Sequence, residues 1–199
     1  MKKQISIFFL ILSIFSLCSC QPDKTFSLIE PGRIEINSMY SVETNKKWSQ
    51  FNQREFNFVF WTVNGYSLDR IVFFKPISDS ESLYDHNSFF TKENEKRPVF
   101  NSDMNKFEIK EFFLDCILWS QRLVTIESEN FTTYKVHNID GISFDIKGQN
   151  ELGLNYKGFV IAGIKEKELF LAYFVAAELE MFNKYKGEAK KILNSIKFL

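Results

Sequence analysis

The rhythm of apolar and polar positions divides this chain before any motif is sought. Residues 5–17 are apolar apart from Ser6, Ser13 and Ser16. Pro31-Gly32 predicts a turn, and residues 33–42 one or two short strands. At 56–63, Phe56, Phe58, Phe60 and Thr62 share one strand face, and Asn57, Val59, Trp61 and Val63 the other. Asn64-Gly65 follows, then a run from Tyr66 to Phe74. Asn-Gly between two aromatic and β-branched runs predicts a β-hairpin. Both faces are largely apolar, so the hairpin is expected to be covered on both sides.

Residues 75–100 are polar, carry the charge cluster Lys92-Glu93-Asn94-Glu95-Lys96-Arg97 and end near Pro98, which predicts a long loop. A helical period takes over next. Ser102 or Asp103 is the expected cap of a helix reaching about Ser120. Ile109, Phe112, Phe113, Cys116 and Ile117 form its apolar side, and Glu108, Glu111 and Asp115 its solvated side. From Arg122 the period returns to two. Strands are expected at 123–126, 131–138, 142–146, 154–164 and 169–176, with turns at 127–130, 140–141, 148–153 and 165–168. The last run also fits the start of a buried helix; the short turn before it and its aromatic residues favour strand. A helix over about 185–196 closes the chain, with Ala189, Ile192, Leu193 and Ile196 on its apolar stripe. The expected fold class is α+β: an antiparallel β-sheet, made of an N-terminal hairpin and a C-terminal meander, flanked by helices.

The apolar run at 5–17 follows Lys2 and Lys3 and is too short to span a bilayer, which takes about 20 apolar residues. It ends in Leu17-Cys18-Ser19-Cys20, which resembles the lipobox of bacterial lipoproteins. The resemblance implies a signal peptide at 1–19 and acylation of Cys20; residues 20–25 are then a tether, and the length of the remainder fits a single domain at 26–199. Gln21 rather than Asp after the acylated residue points by analogy to the outer membrane, facing the periplasm. More than one acyl chain is needed for lasting attachment, each buried CH₂ contributing about 0.8 kcal/mol.

Composition narrows the picture further. The chain has 25 basic and 25 acidic residues, and loss of Lys2 and Lys3 with the signal leaves 23 basic. That balance gives no reason to expect a nucleic-acid partner. With Cys18 removed and Cys20 acylated, Cys116 remains without an intramolecular partner and is expected to be an inert buried thiol. The 23 Phe, abundant together with Lys, Asn and Ile, fit a bias in base composition or, second, a wet aromatic groove.

Residues with chemistry are few. His86 beside Asp85 reads as a surface pair, and His137 as a structural strand histidine. Glu108, Glu111 and Asp115 lack a histidine among them, so no metal site is expected, and nothing calls for a cofactor. Neither Gly-x-Ser-x-Gly, His-Glu-x-x-His nor a glycine-rich phosphate loop occurs. Trp61 and Tyr66, with His86, are the candidates for an exposed interaction surface.

The element order resembles the PsbP-type α/β/α sandwich. Trp61-Thr62-Val63-Asn64-Gly65-Tyr66-Ser67-Leu68, Pro98-Val99-Phe100, Phe107-Glu108-Ile109, Ile139-Asp140-Gly141-Ile142-Ser143-Phe144 and Ile192-Leu193-Asn194-Ser195-Ile196 resemble an uncharacterised family of bacterial envelope lipoproteins. That resemblance implies an assembly or interaction module and carries over no catalytic residue. The leading expectation is therefore a membrane-anchored, non-catalytic lipoprotein that binds another envelope protein. The alternative is a carrier or sensor of an apolar ligand, similar in role to the lipoprotein receptor LolB. An envelope hydrolase ranks last.

Overall fold

The computed structural model describes residues 26–52, 56–84, 96–120 and 122–199. The expected signal peptide, Cys20 and His86 lie outside them. The elements in chain order are β1 (Phe26–Ile29), β2 (Gly32–Ile36), β3 (Tyr40–Thr44), β4 (Trp48–Asn52), β5 (Phe58–Thr62), β6 (Asp69–Phe74), α1 (Lys106–Trp119), β7 (Thr125–Val136), β8 (Ile139–Gln149), β9 (Asn155–Lys165), β10 (Glu168–Ala177), α2 (Met181–Asn194) and β11 (Lys197–Phe198). Eight strands form one antiparallel sheet in the order β1-β4-β5-β6-β10-β9-β8-β7, and β11-β3-β2 form a second, small one. The N-terminal hairpin and the C-terminal meander meet where β6 pairs with β10, from Ala172 opposite Phe73 to Ala176 opposite Asp69.

Strand alternation then builds two cores. Phe58, Phe60, Val72, Phe74, Phe144, Val160 and Tyr173 face one side, where α1 and the buried residues Ile77, Leu83, Tyr84 and Phe100 cover them. Val59, Trp61, Ile71, Phe73, Phe159, Ile161 and Phe174 face the other, under α2 and the small sheet. The expected covering of the hairpin on both sides is thus observed. The fold is α+β but dominated by sheet.

Local chemistry explains the helices. Asn105 caps α1: its side chain accepts from the Phe107 and Glu108 amides, and Glu108 bonds back to the Asn105 amide at 2.7 Å. The cap is therefore Asn105 rather than Ser102 or Asp103, because only Asn105 has a glutamate three residues on to complete the capping box. α2 is tied to the small sheet through Ser195, whose Oγ accepts from the Glu43 amide at 2.7 Å, and through Glu188, which accepts from the Asn45 amide at 3.1 Å.

The meander differs from the sequence expectation in register. β7 runs straight through 127–130, with a bulge and Asn130 at φ +53° where a turn is expected. An edge strand exposed on much of its surface needs no apolar alternation, so its polar residues imitate a turn. The true reversal is at His137-Asn138, with His137 at φ +54°, so His137 is a turn residue and not a strand residue. Gly141 lies inside β8, because a Cβ there would sit 2.1 Å from the carbonyl oxygen of Ala162 on β9. Strands β1, β4 and β11 go beyond the expected elements.

The hairpin also differs in its connection. β5 and β6 are joined by six residues, 63–68, rather than by a two-residue Asn-Gly turn. The buried Asp69 carboxylate organises this loop, accepting from the Val63 amide (2.8 Å), the Asn64 amide (2.9 Å), Asn64 Nδ2 (2.7 Å) and Thr62 Oγ1 (3.4 Å). Gly65, at φ +102°, donates to Thr62 Oγ1 at 2.9 Å. Replacing Asp69 leaves these donors without their acceptor in a buried place. Asp69→Ala is expected to lower unfolding stability by about 2–4 kcal/mol in urea titration; a loss below about 1 kcal/mol would show that the loop does not depend on it.

Candidate functional site

One end of the large sheet gathers four loops. Ala177 donates to the Leu68 carbonyl at 2.8 Å, Glu178 to Asn155 at 2.9 Å, and Val124 to Gln149 at 2.8 Å. The loops at 63–68, 122–124, 150–154 and 178–180 therefore lie at the same end. They carry the exposed apolar side chains Val63, Leu68, Val124, Leu152 and Leu179, the last two 87% and 92% exposed. Tight loop geometry holds Leu152 outward: Asn150 Oδ1 accepts from the Leu152 and Leu154 amides at 3.1 and 2.9 Å, and Gly153 takes φ +79°.

Beneath this rim, on the α1 face, lies a cationic aromatic cluster. The Arg122 guanidinium sits 4.5 Å from the Tyr84 ring centroid, 5.3 Å from Phe58 and 5.4 Å from Tyr66. Arg70, buried in β6, lies 4.3 Å from the same Tyr66 ring and donates through Nη1 to the Tyr66 carbonyl at 2.8 Å. Tyr84 and Tyr173 meet hydroxyl to hydroxyl at 3.1 Å. Burial pushes the Tyr84 hydroxyl well above its ordinary value, and the neighbouring Tyr173 pushes it the same way. Burial also lowers the pKa of Arg122. Cation–π contact offsets part of that desolvation, about 0.5–2 kcal/mol for each good pair.

The sequence-based candidates distribute unevenly over this site. Tyr66 belongs to it and is half-buried. Trp61 does not: it is fully buried on the opposite face and donates to Gln50 Oε1 at 2.9 Å, so it is a core residue rather than part of an exposed surface. His86 lies outside the described residues. Arg70 and Arg122 went unnoticed in the sequence. The available signal was Asp69-Arg70 interrupting an otherwise apolar strand.

Other reactive groups are muted. Cys116, on the buried side of α1, contacts Ser82 Oγ at 3.8 Å, and burial pushes its thiol up to about 12. His137 sits in its turn beside Phe198, with ring centroids 6.2 Å apart. Among the described residues no cluster of three or more potential metal ligands occurs. No described helix is long and apolar enough to cross a membrane. Surface depressions occur among the described residues. One of about 460 Å³ is lined by Lys96, Arg97, Asp115, Trp119 and neighbours; another, of about 190 Å³, lies by Lys165, Glu168 and Phe198 at the opposite end of the sheet.

These features define the class: an α+β, sheet-dominated domain with a PsbP-like fold. The solution structure of cyanobacterial PsbP (CyanoP) from Synechocystis sp. PCC 6803 superposes with a TM-score of 0.54 at 8% identity, covering 92% of this chain and 99% of that one. A crystal structure from Bacteroides thetaiotaomicron VPI-5482 superposes with a TM-score of 0.49 at 11% identity; 86% of this chain matches about half (49%) of that one. No protein-family model and no curated protein matches the chain.

The Cys116 thiol is expected to resist iodoacetamide at pH 8 in the folded protein and to react once urea unfolds it, because the thiolate is the reactive form. Rapid labelling of the native protein, read by mass spectrometry, would contradict the burial of Cys116.

Proposed function

We propose that this protein is a lipid-anchored component of the bacterial cell envelope whose domain binds another envelope protein without catalysing a reaction. The observation that carries the reading is the rim of Val63, Leu68, Val124, Leu152 and Leu179 on loops that converge at one end of a packed sheet. Large apolar side chains on tight loops are costly to expose, and such patches mark contact surfaces. Leu17-Cys18-Ser19-Cys20 supplies the anchor, and the domain begins directly after a short tether.

The aromatic packing among the described residues favours docking over carriage. A carrier of an apolar ligand needs an enclosed apolar cavity beneath the sheet. The two described depressions are open at the surface and bordered by Lys96, Arg97 and Asp115 in one case and Lys165, Glu166 and Glu168 in the other. The twelve largest fully buried side chains among the described residues, Trp61, Phe74 and Tyr173 included, are all aromatic and pack the two faces of the sheet.

Two measurements test this reading. Cys20→Ala is expected to abolish labelling with radioactive palmitate and to release the protein into the soluble fraction; continued labelling would sink the anchor. A photo-crosslinker at position 152 in cells is expected to form a discrete protein adduct. Leu179→Asp should remove that adduct while changing stability by no more than about 0.5 kcal/mol. A crosslinker at exposed Lys135 should form none. An adduct to lipid at position 152 would favour the carrier, and equal adducts at 135 and 152 would remove the rim from consideration.

A further inference from the structure

Among the described residues, four buried side-chain nitrogen or oxygen atoms have no hydrogen-bond partner: Asn37 Nδ2, Tyr66 Oη, Arg70 Nε and Arg122 Nε. Three of the four belong to one cluster. Buried polar groups are satisfied in the great majority of cases, so three dry groups around a single aromatic ring ask for a common cause. All three can donate. Two of them belong to cations, and no ion pair between described residues involves Arg70 or Arg122.

We propose that Arg122, Arg70 and Tyr66 form a recognition site for a small oxyanion, a carboxylate or a phosphate. Arg122 supplies the primary contact. Its guanidinium carbon lies within 5.4 Å of the ring centroids of Tyr84, Phe58 and Tyr66, which restricts the movement of the fork. Neither Nη donates to a described residue, and the residue as a whole is half-buried, so the Nη edge is reachable. A held, planar, donor-only fork matches the two oxygens of a carboxylate or phosphate. Arg70 lies deeper, under the shared Tyr66 ring, and adds a second positive charge without direct exposure. Tyr66 Oη supplies a neutral donor. A water molecule can satisfy the hydrogen bonds but cannot balance two positive charges brought to one ring, whereas an anion does both.

The apolar loops above the cluster suit an acidic side chain or C-terminus of a protein as the source of the anion, and a phosphate group is the other outcome that the test distinguishes. The site is defined by anion chemistry and does not require the docking reading. It can be tested on the full chain in detergent solution with no partner present.

The test is thermal unfolding in low-salt buffer with added sodium phosphate, sodium acetate or sodium chloride at matched ionic strength, on the wild type, Arg122→Met and Tyr66→Phe. Phosphate or acetate at about ten times its Kd is expected to raise the wild-type Tm by roughly 3–6 °C beyond the chloride control. Arg122→Met is expected to lose this increment while unfolding at or above the wild-type temperature without anion, since an uncompensated buried charge is replaced by a packed apolar side chain. Tyr66→Phe removes one dry hydroxyl and is expected to weaken binding at least about threefold with the fold intact. A larger effect of acetate points to a protein carboxylate, and of phosphate to a headgroup. General salting effects act on all three proteins alike and cancel in the comparison. The proposal is overturned if phosphate and acetate act no differently from chloride on the wild type, or if Arg122→Met keeps the full increment. It is also overturned if Arg122→Met melts far below the wild type in chloride and the wild type shows no anion-specific shift, which would make Arg122 a structural cation.

Discussion

The pairing of β6 with β10 constrains everything else in this protein. Apart from Glu168 at the start of β10, every residue of both strands is buried. Their side chains alternate between two faces, so the centre of the sheet is apolar on both. Each exposed face would leave rows of Phe, Ile and Val in water, at about 25 cal/mol per Å². The sheet must therefore be covered twice. The chain meets this demand with unlike materials: a capped helix and a long connecting segment on one side, a terminal helix and a three-stranded ribbon on the other. The abundance of phenylalanine follows from the same demand, since large rings fill two wide interlayer spaces with few residues. Phe113 meets Phe144 and Tyr173 across one space, while Tyr40 meets Phe73 and Phe170 across the other.

The cover on the α1 side ends at Trp119, just before the chain turns through Arg122 into β7. There the packing material changes from hydrocarbon to guanidinium and phenol. Arg122 and Arg70 fill volume next to Tyr66 and Tyr84 that an apolar residue would fill at lower desolvation cost. A structure that needed only packing would have placed leucine or methionine there. Proteins hold such costly groups where binding requires them, at the expense of stability. The cluster also sits at the loop end that carries the exposed leucines, so the two departures from ordinary surface and core chemistry coincide in place.

How much of this was legible in the sequence depends on burial. Phe58 to Thr62 reads as a strand because both faces are used, and Ile109 to Ile117 reads as a helix because only one is. Trp48-Ser49-Gln50-Phe51-Asn52 is a strand whose pattern is diluted, since Gln50 is spent on the Trp61 indole and Asn52 lies at the strand end. Gly141 reads as a turn because glycine commonly marks one. Its actual role is to let β8 and β9 approach closely, which is a property of the pairing and invisible in a local window. Asn64-Gly65 correctly locates the hairpin but not its six-residue loop, because the decisive group is Asp69, a carboxylate across the loop rather than a turn residue. The cluster at Tyr66 was half visible: the tyrosine stands in the loop, but its cations come from β6 and from a position 52 residues further along the chain, and only the fold brings them together.

The direction of β1 adds a relation between anchor and site. β1 pairs with β4 from Phe26 opposite Phe51 to Ile29 opposite Trp48, and β4 in turn sets Phe51 opposite Phe60 and Ser49 opposite Thr62. The strand thus runs towards the 63–68 loop, with Phe26 level with Phe60 at mid-sheet. The rim stands four or five residues beyond that level, roughly 15 Å at strand rise. On the proposed acylation of Cys20, the five residues before Phe26 span at most about 17 Å, which would keep this level of the sheet within about that distance of the bilayer surface.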